Sequence, residues 1–140
     1  MHELNRHQQR QIAFQTLFGL MMNPEAEAEV IVQQVLDGDP ETVWEQDLPA
    51  DVLAFVNGVR ENEANLSVQI ADNLASGWTI DRLNKTDLVL MQLALYEAQE
   101  TDTPNNVAIN EALQLAHEFT DEKSRKYINA VLNKVLTENV

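Results

Sequence analysis

The stretch from Trp78 to Lys134 decides the fold: it reads WTIDRLNKTDLVLMQLALYEAQ from 78 to 99 and NVAINEALQLAHEFTDEKSRKYINAVLNK from 106 to 134. Three apolar rhythms follow one another. Leu90, Met91, Ala94, Leu95 and Ala98 make the first. Ile109, Ala112, Leu113 and Ala116 make the second. Ile128, Val131, Leu132 and Val135 make the third. All recur at the helical period of about 3.6 residues, so each marks one face of a helix. Thr103-Pro104-Asn105 ends the first helix, because proline lacks an N–H and disfavours helix just before it. Thr120-Asp121 can cap the third, with acids in its first turn.

Working outward, the upstream chain is also helical in pattern. A helix over 5–22 carries Ala13, Leu17, Leu20 and Met21 inward, with Phe14 and Phe18 as an adjacent i, i+4 pair. Asn23-Pro24-Glu25 reads as the start of a second helix, with Ala28, Ile31, Val32 and Val35 as its stripe and Gly38 closing it in a left-handed conformation. Residues 37–48 form an acidic loop without the spacing of a calcium-binding hand. Pro49 opens a further helix with Leu53, Val56 and Val59, then Leu66, Ile70 and Leu74, which Gly58 and residues 62–65 kink or break. Gly77 marks a joint, giving an N-terminal sub-bundle 1–77 and a C-terminal sub-bundle 78–140. Asn84 and Asp87 follow it as a capping box. The expectation is one all-α domain of about seven helices in two small bundles.

Composition narrows the function. The 140 residues carry a net charge of −14, no cysteine, four glycines and four prolines, and 44% of them are apolar. That supports a buried core, and disulfides and cysteine zinc sites are absent. The polar start MHELNRHQQRQ is unlike a signal peptide, and the uncharged run 11–24 is too short for the ~20 residues of a membrane span. A soluble cytoplasmic protein is expected. Charge is uneven: no Lys or Arg lies between Gln11 and Val59, nine acids lie between Glu25 and Asp51, and four bases with no acid lie between Lys123 and Lys134. If the mildly basic ends meet in space, they form the anion-facing surface.

Catalytic patterns are missing. His2, His7 and His117 lack the H-E-x-x-H spacing, Ser67, Ser76 and Ser124 sit in no G-x-S-x-G, and no glycines make a nucleotide-binding loop. Neither a metal nor a cofactor is expected. On a helix, Lys123, Lys126 and Tyr127 project side by side. Two cations beside an aromatic can hold a phosphate and stack an unpaired base; a tyrosine at the core edge beside two solvated lysines has the same spacing.

Several segments resemble the NusB family of transcription antitermination factors: D-R-L-N-K-x-D, L-A-L-Y-E, I-N-E-A and S-x-K-[FY]-x-N-x-V-L at the C-terminal end, and R-x-x-A-F-Q-T-L-F near the start. The resemblance implies a non-enzymatic factor. It would bind boxA-type single-stranded RNA with a small-subunit ribosomal protein, NusE, in the RNA polymerase antitermination complex of ribosomal RNA operons. It assigns RNA contact to Arg6, Arg10, Phe18, Lys123, Ser124, Lys126, Tyr127 and Asn129, and the ribosomal-protein surface to Asp87, Glu97, Asn110 and Glu111, where acids suit a basic partner. The family includes monomers and homodimers. Ala130 stands where a glycine is usual, and His117 where a lysine is common. The other readings are a helical protein-binding adaptor and the RNA-binding module of a ribosomal RNA methyltransferase system.

Overall fold

The computed structural model describes residues 4–38 and 44–137. Among them are seven α-helices, one short 3-10 turn and no strand. The chain divides into two compact units, residues 1–60 and 61–140.

In the first unit, α1 (Arg6–Met22) begins with a full capping box: the Asn5 side chain accepts from the Gln8 N–H at 2.8 Å, and Gln8 accepts from the Asn5 N–H at 2.9 Å. Two otherwise orphaned donors are thereby satisfied. Ile12, Ala13, Phe14, Leu17 and Leu20 are buried. Each large apolar side chain so removed from water contributes roughly 1.5–3 kcal/mol.

Packed against α1 is α2 (Ala28–Asp37), with Val32 and Leu36 inward. It starts later than the Asn23-Pro24-Glu25 expectation. Those residues form a turn, closed by the Ala26 N–H on the Asn23 carbonyl at 3.1 Å, and Glu27 takes the cap position. Gly38 is right-handed at φ −74, because its N–H still bonds back to Gln34 at 3.0 Å; the left-handed closure expected there does not occur.

The acidic-loop expectation falls in part on residues 39–43, outside the described residues. After them Trp44 is buried, its indole N–H donating to the Asp47 carbonyl at 3.1 Å. Helix α3 (Ala50–Glu61) buries Val52, Val56 and Val59, and carries Gly58 within it.

The break in the long predicted helix comes at Asn62, in a bridge conformation with φ −103 and ψ 5. Helix α4 (Glu63–Ala71) follows it and packs on the helices of the second unit through buried Leu66 and Ile70. The units therefore divide after Arg60, and not at Gly77 where the sequence placed the joint.

A loop and the 3-10 turn Ile80–Arg82 lead to α5 (Lys85–Glu100), then α6 (Asn105–Phe119) and α7 (Glu122–Thr137). Helix α5 is central to this unit. It packs against α4, α6 and α7, and its residues 89–95 are all buried. Opposite it, α6 buries Ile109, Ala112, Leu115 and Ala116, and α7 buries Ile128, Val131, Leu132 and Val135. Asp121 caps α7 as expected, accepting from the Ser124 N–H at 2.8 Å.

Candidate nucleic-acid interface

In the first unit, the two arginines that share one sequence face have separate fates. Arg6 is exposed at the start of α1. Arg10, one turn on, is only 5% exposed. Its guanidinium lies 4.8 Å from the Phe55 ring centroid, and its Nη1 donates to the Arg6 carbonyl at 3.1 Å. The i, i+4 spacing puts both residues on one face, but the Arg10 side chain folds inward over α3. Phe18 is half-buried, and its ring is 6.2 Å from that of Phe14.

In the second unit, α7 collects the remaining RNA candidates. Lys123, Lys126 and Asn129 are exposed; Ser124 and Tyr127 are half-buried. Asn129 receives the Asn133 amide on both its carbonyl and its side-chain oxygen, each at 2.8 Å. The Tyr127 ring meets Trp78 at 6.4 Å, tilted by 49°. Its hydroxyl is buried without a hydrogen-bond partner. Burial, and then the Asp87 charge, push the Tyr127 hydroxyl above its ordinary range.

Of the four residues expected to meet a basic partner, two are in the interior. Asp87 is 6% exposed and Glu97 is 2% exposed. Both side chains are thus enclosed within the second unit and add little to its exposed acidic surface. The capping box predicted for Asn84 and Asp87 is half realised. Asn84 accepts from the Thr86 N–H at 2.8 Å, while the Asp87 carboxylate takes the Ser124 hydroxyl of α7 instead. Burial raises the Asp87 carboxyl above the usual carboxylate range; the Ser124 bond pulls it down and Asp121 pushes it further up. Asp87 thus supports the RNA-candidate face of α7 from beneath.

Asn110 is exposed and Glu111 is half-buried. Asn110 lines an open groove of about 550 Å³ with Gln114, His117, Glu118 and, from α7, Arg125. Sequence reasoning gave no role to Trp78 or Arg82. Their signal was an aromatic and a cation one helical turn apart, just ahead of α5. The Arg82 guanidinium lies 5.7 Å from the Trp78 ring centroid.

Among the described residues, no group of His, Asp and Glu is placed to hold a metal ion, and no helix is long and apolar enough to cross a membrane. The fold and these faces define a helical protein with exposed cations on α1 and α7 and an open indole, that of Trp78. The chain belongs to the NusB family, whose profile matches residues 7–137.

It is 44% identical over 136 residues to the transcription antitermination protein NusB of Levilactobacillus brevis, covering 96% of this chain and 94% of the relative. The protein of the same name from Limosilactobacillus reuteri is 48% identical over 132 residues, covering 94% and 92%. Among solved structures, T. maritima NusB superposes with a TM-score of 0.81 at 27% identity, covering 98% of this chain and 94% of that one. A chain from the complex of antitermination factors NusB and NusE with double-stranded RNA has a TM-score of 0.78 at 18% identity, covering 96% and 99%, and shares the fold.

Proposed function

We propose that this chain is a transcription antitermination factor. It binds a short single-stranded boxA-type RNA together with the small-subunit ribosomal protein NusE, within the RNA polymerase antitermination complex of ribosomal RNA operons. The observation that carries the reading is the family match along residues 7–137, joined by relatives of that name at 44% and 48% identity. The protein acts in the cytoplasm by affinity and assembly, without covalent chemistry or a cofactor.

The chemistry of each unit supports this role. In the second unit, Lys123 and Lys126 offer charge to phosphates, Tyr127 offers a ring to an unpaired base, and Ser124 and Asn129 complete the α7 face. In the first unit, Arg6 and Phe18 are the accessible candidates, and Arg10 positions the start of α1. For the ribosomal protein, the accessible surface is that of Asn110, Glu111 and their neighbours on α6.

Titration of labelled boxA-type RNA, with and without NusE, tests the reading. NusE is expected to tighten RNA binding on the order of tenfold, a coupling of ~1.4 kcal/mol that must be reciprocal. Equal affinity for boxA and scrambled RNA, together with no effect of NusE, would refute it.

A further inference from the structure

Trp78 is 50% exposed, an open position for so large an apolar ring. It is nonetheless held in place. Tyr127 lies against it, the Arg82 guanidinium lies over it, and Arg82 Nη1 donates to the Gly77 carbonyl at 3.5 Å. Tyr127 sits on α7 beside exposed Lys123 and Lys126. In a chain of net charge −14, the open indole has a guanidinium at its face, that of Arg82, and its ring neighbour Tyr127 shares a helix with two exposed lysines. The chemistry that fits is an anion carrying a π face, which is an unpaired nucleotide.

We propose that Trp78 and Arg82 form a nucleotide subsite of the RNA surface, in which an unpaired base stacks on the indole and Arg82 bonds that nucleotide's phosphate. The inference rests on the RNA-binding reading above and extends it to the loop and 3-10 turn ahead of α5. Without RNA, the guanidinium covers part of the ring through a cation–π contact. An arriving base takes its place, and the exposed Arg82 side chain exchanges the ring for a charge-assisted bond to phosphate. Tyr127 backs the indole from α7, so the nucleotide is gripped by two elements of one unit. Base stacking tolerates any base, so this subsite adds affinity and register more than sequence choice.

The test uses the full chain and a short single-stranded boxA-type oligonucleotide, followed by anisotropy. Trp78→Ala and Trp78→Leu are each expected to weaken binding by about tenfold, and Trp78→Phe by no more than about threefold, since the phenyl ring keeps a π face. Arg82→Ala should weaken binding and flatten the log–log salt slope by about 0.7. The Trp78 emission, taken as the difference between wild type and Trp78→Phe, should be quenched by RNA. If wild type binds RNA and Trp78→Ala binds it equally well, the subsite is overturned while the RNA reading stands. If Trp78→Ala loses NusE binding alone, the ring is a protein contact and the subsite is likewise overturned. If wild type binds no RNA at all, both readings fall.

Discussion

Ser124 donates its hydroxyl to the Asp87 carboxylate and so ties the first turn of α7 to the first turn of α5. The bond is incomplete compensation, because Asp87 Oδ1 is buried with no hydrogen-bond partner. Burial therefore dominates and holds the carboxyl above its ordinary value of 3.8. A raised native pKa means that the folded state holds this proton more tightly than the unfolded chain does. Ionised Asp87 then detracts from stability at neutral pH, and the deficit vanishes as pH falls below 3.8. Asp87→Asn, which keeps an acceptor for Ser124, should be more stable than wild type at neutral pH and should converge with it in acid. Urea unfolding across that range checks this; a difference that does not vary with pH would assign the effect to shape instead of charge.

Arg10 and Arg6 should separate by readout. Arg10→Ala removes the contact over Phe55 and the bond to the Arg6 carbonyl. Its expected loss of stability is about 1–3 kcal/mol, typical of a charged hydrogen bond and a cation–π contact removed together. Arg6→Ala, at an exposed position, should stay within about 0.5 kcal/mol of wild type and should lower RNA affinity. Urea midpoints and RNA titrations on both variants decide it. A stable Arg10→Ala chain with weakened RNA binding would return Arg10 to the contact surface.

The contrast between these two arginines shows what a sequence can carry. Apolar periodicity reports which face of a helix is inward, so the stripes of α5, α6 and α7 were legible. Ile128, Val131, Leu132 and Val135 are all buried as expected. Periodicity says little about a long polar side chain, which can fold back over a neighbour as Arg10 does over Phe55. The place of Asp87 is hidden from the sequence for a related reason. Its position three residues after Asn84 matches a cap, but the partner that claims its carboxylate is Ser124, far along the chain. Likewise the α3–α4 break at Asn62 was visible as a weak spot, whereas its role as the boundary of the units depends on what α4 packs against. Trp78 carries no such signal, since a single aromatic has no period.

Tyr127→Phe should be nearly silent, and that is informative. The hydroxyl is buried without a hydrogen-bond partner, so removing it leaves nothing unsatisfied. The ring that meets Trp78 remains. RNA affinity is expected to stay within about twofold and stability to hold or rise. Tyr127→Ala, by contrast, should lose about 1–3 kcal/mol of RNA binding, the value of one base–aromatic stack. Comparing the two variants by anisotropy checks whether the ring or the hydroxyl matters.

Gly77 has φ 86, and a Cβ there would meet nothing within 4 Å. The demand for glycine is therefore conformational and not steric. Gly77→Ala is expected to lower stability by about 1–2 kcal/mol, the penalty for an L-residue in the left-handed region. Because the Gly77 carbonyl accepts from Arg82, the same change should also disturb the contact of Arg82 with Trp78. Denaturation together with Trp emission would register both effects, and an alanine variant as stable as wild type would contradict the backbone argument.

Salt dependence tests the α7 face directly. A net charge of −14 repels RNA at long range, so binding must come from a few short-range contacts. The exposed cations assigned to RNA are Lys123 and Lys126 on α7, Arg6 on α1 and Arg82 in the 3-10 turn ahead of α5. With roughly three or four phosphates neutralised, and about 0.7 counterions released per phosphate of a single strand, the log–log slope should be roughly −2 to −3. Lys123→Ala and Lys126→Ala should each flatten it by about 0.7 and weaken binding by ~1 kcal/mol, about fivefold. Being one turn apart, they can share a phosphate, and then the double variant would lose less than the sum of the two. Titration of all three variants at several salt concentrations measures slope and affinity together. A wild-type slope near zero, unchanged by either substitution, would mean that α7 meets a protein and not RNA.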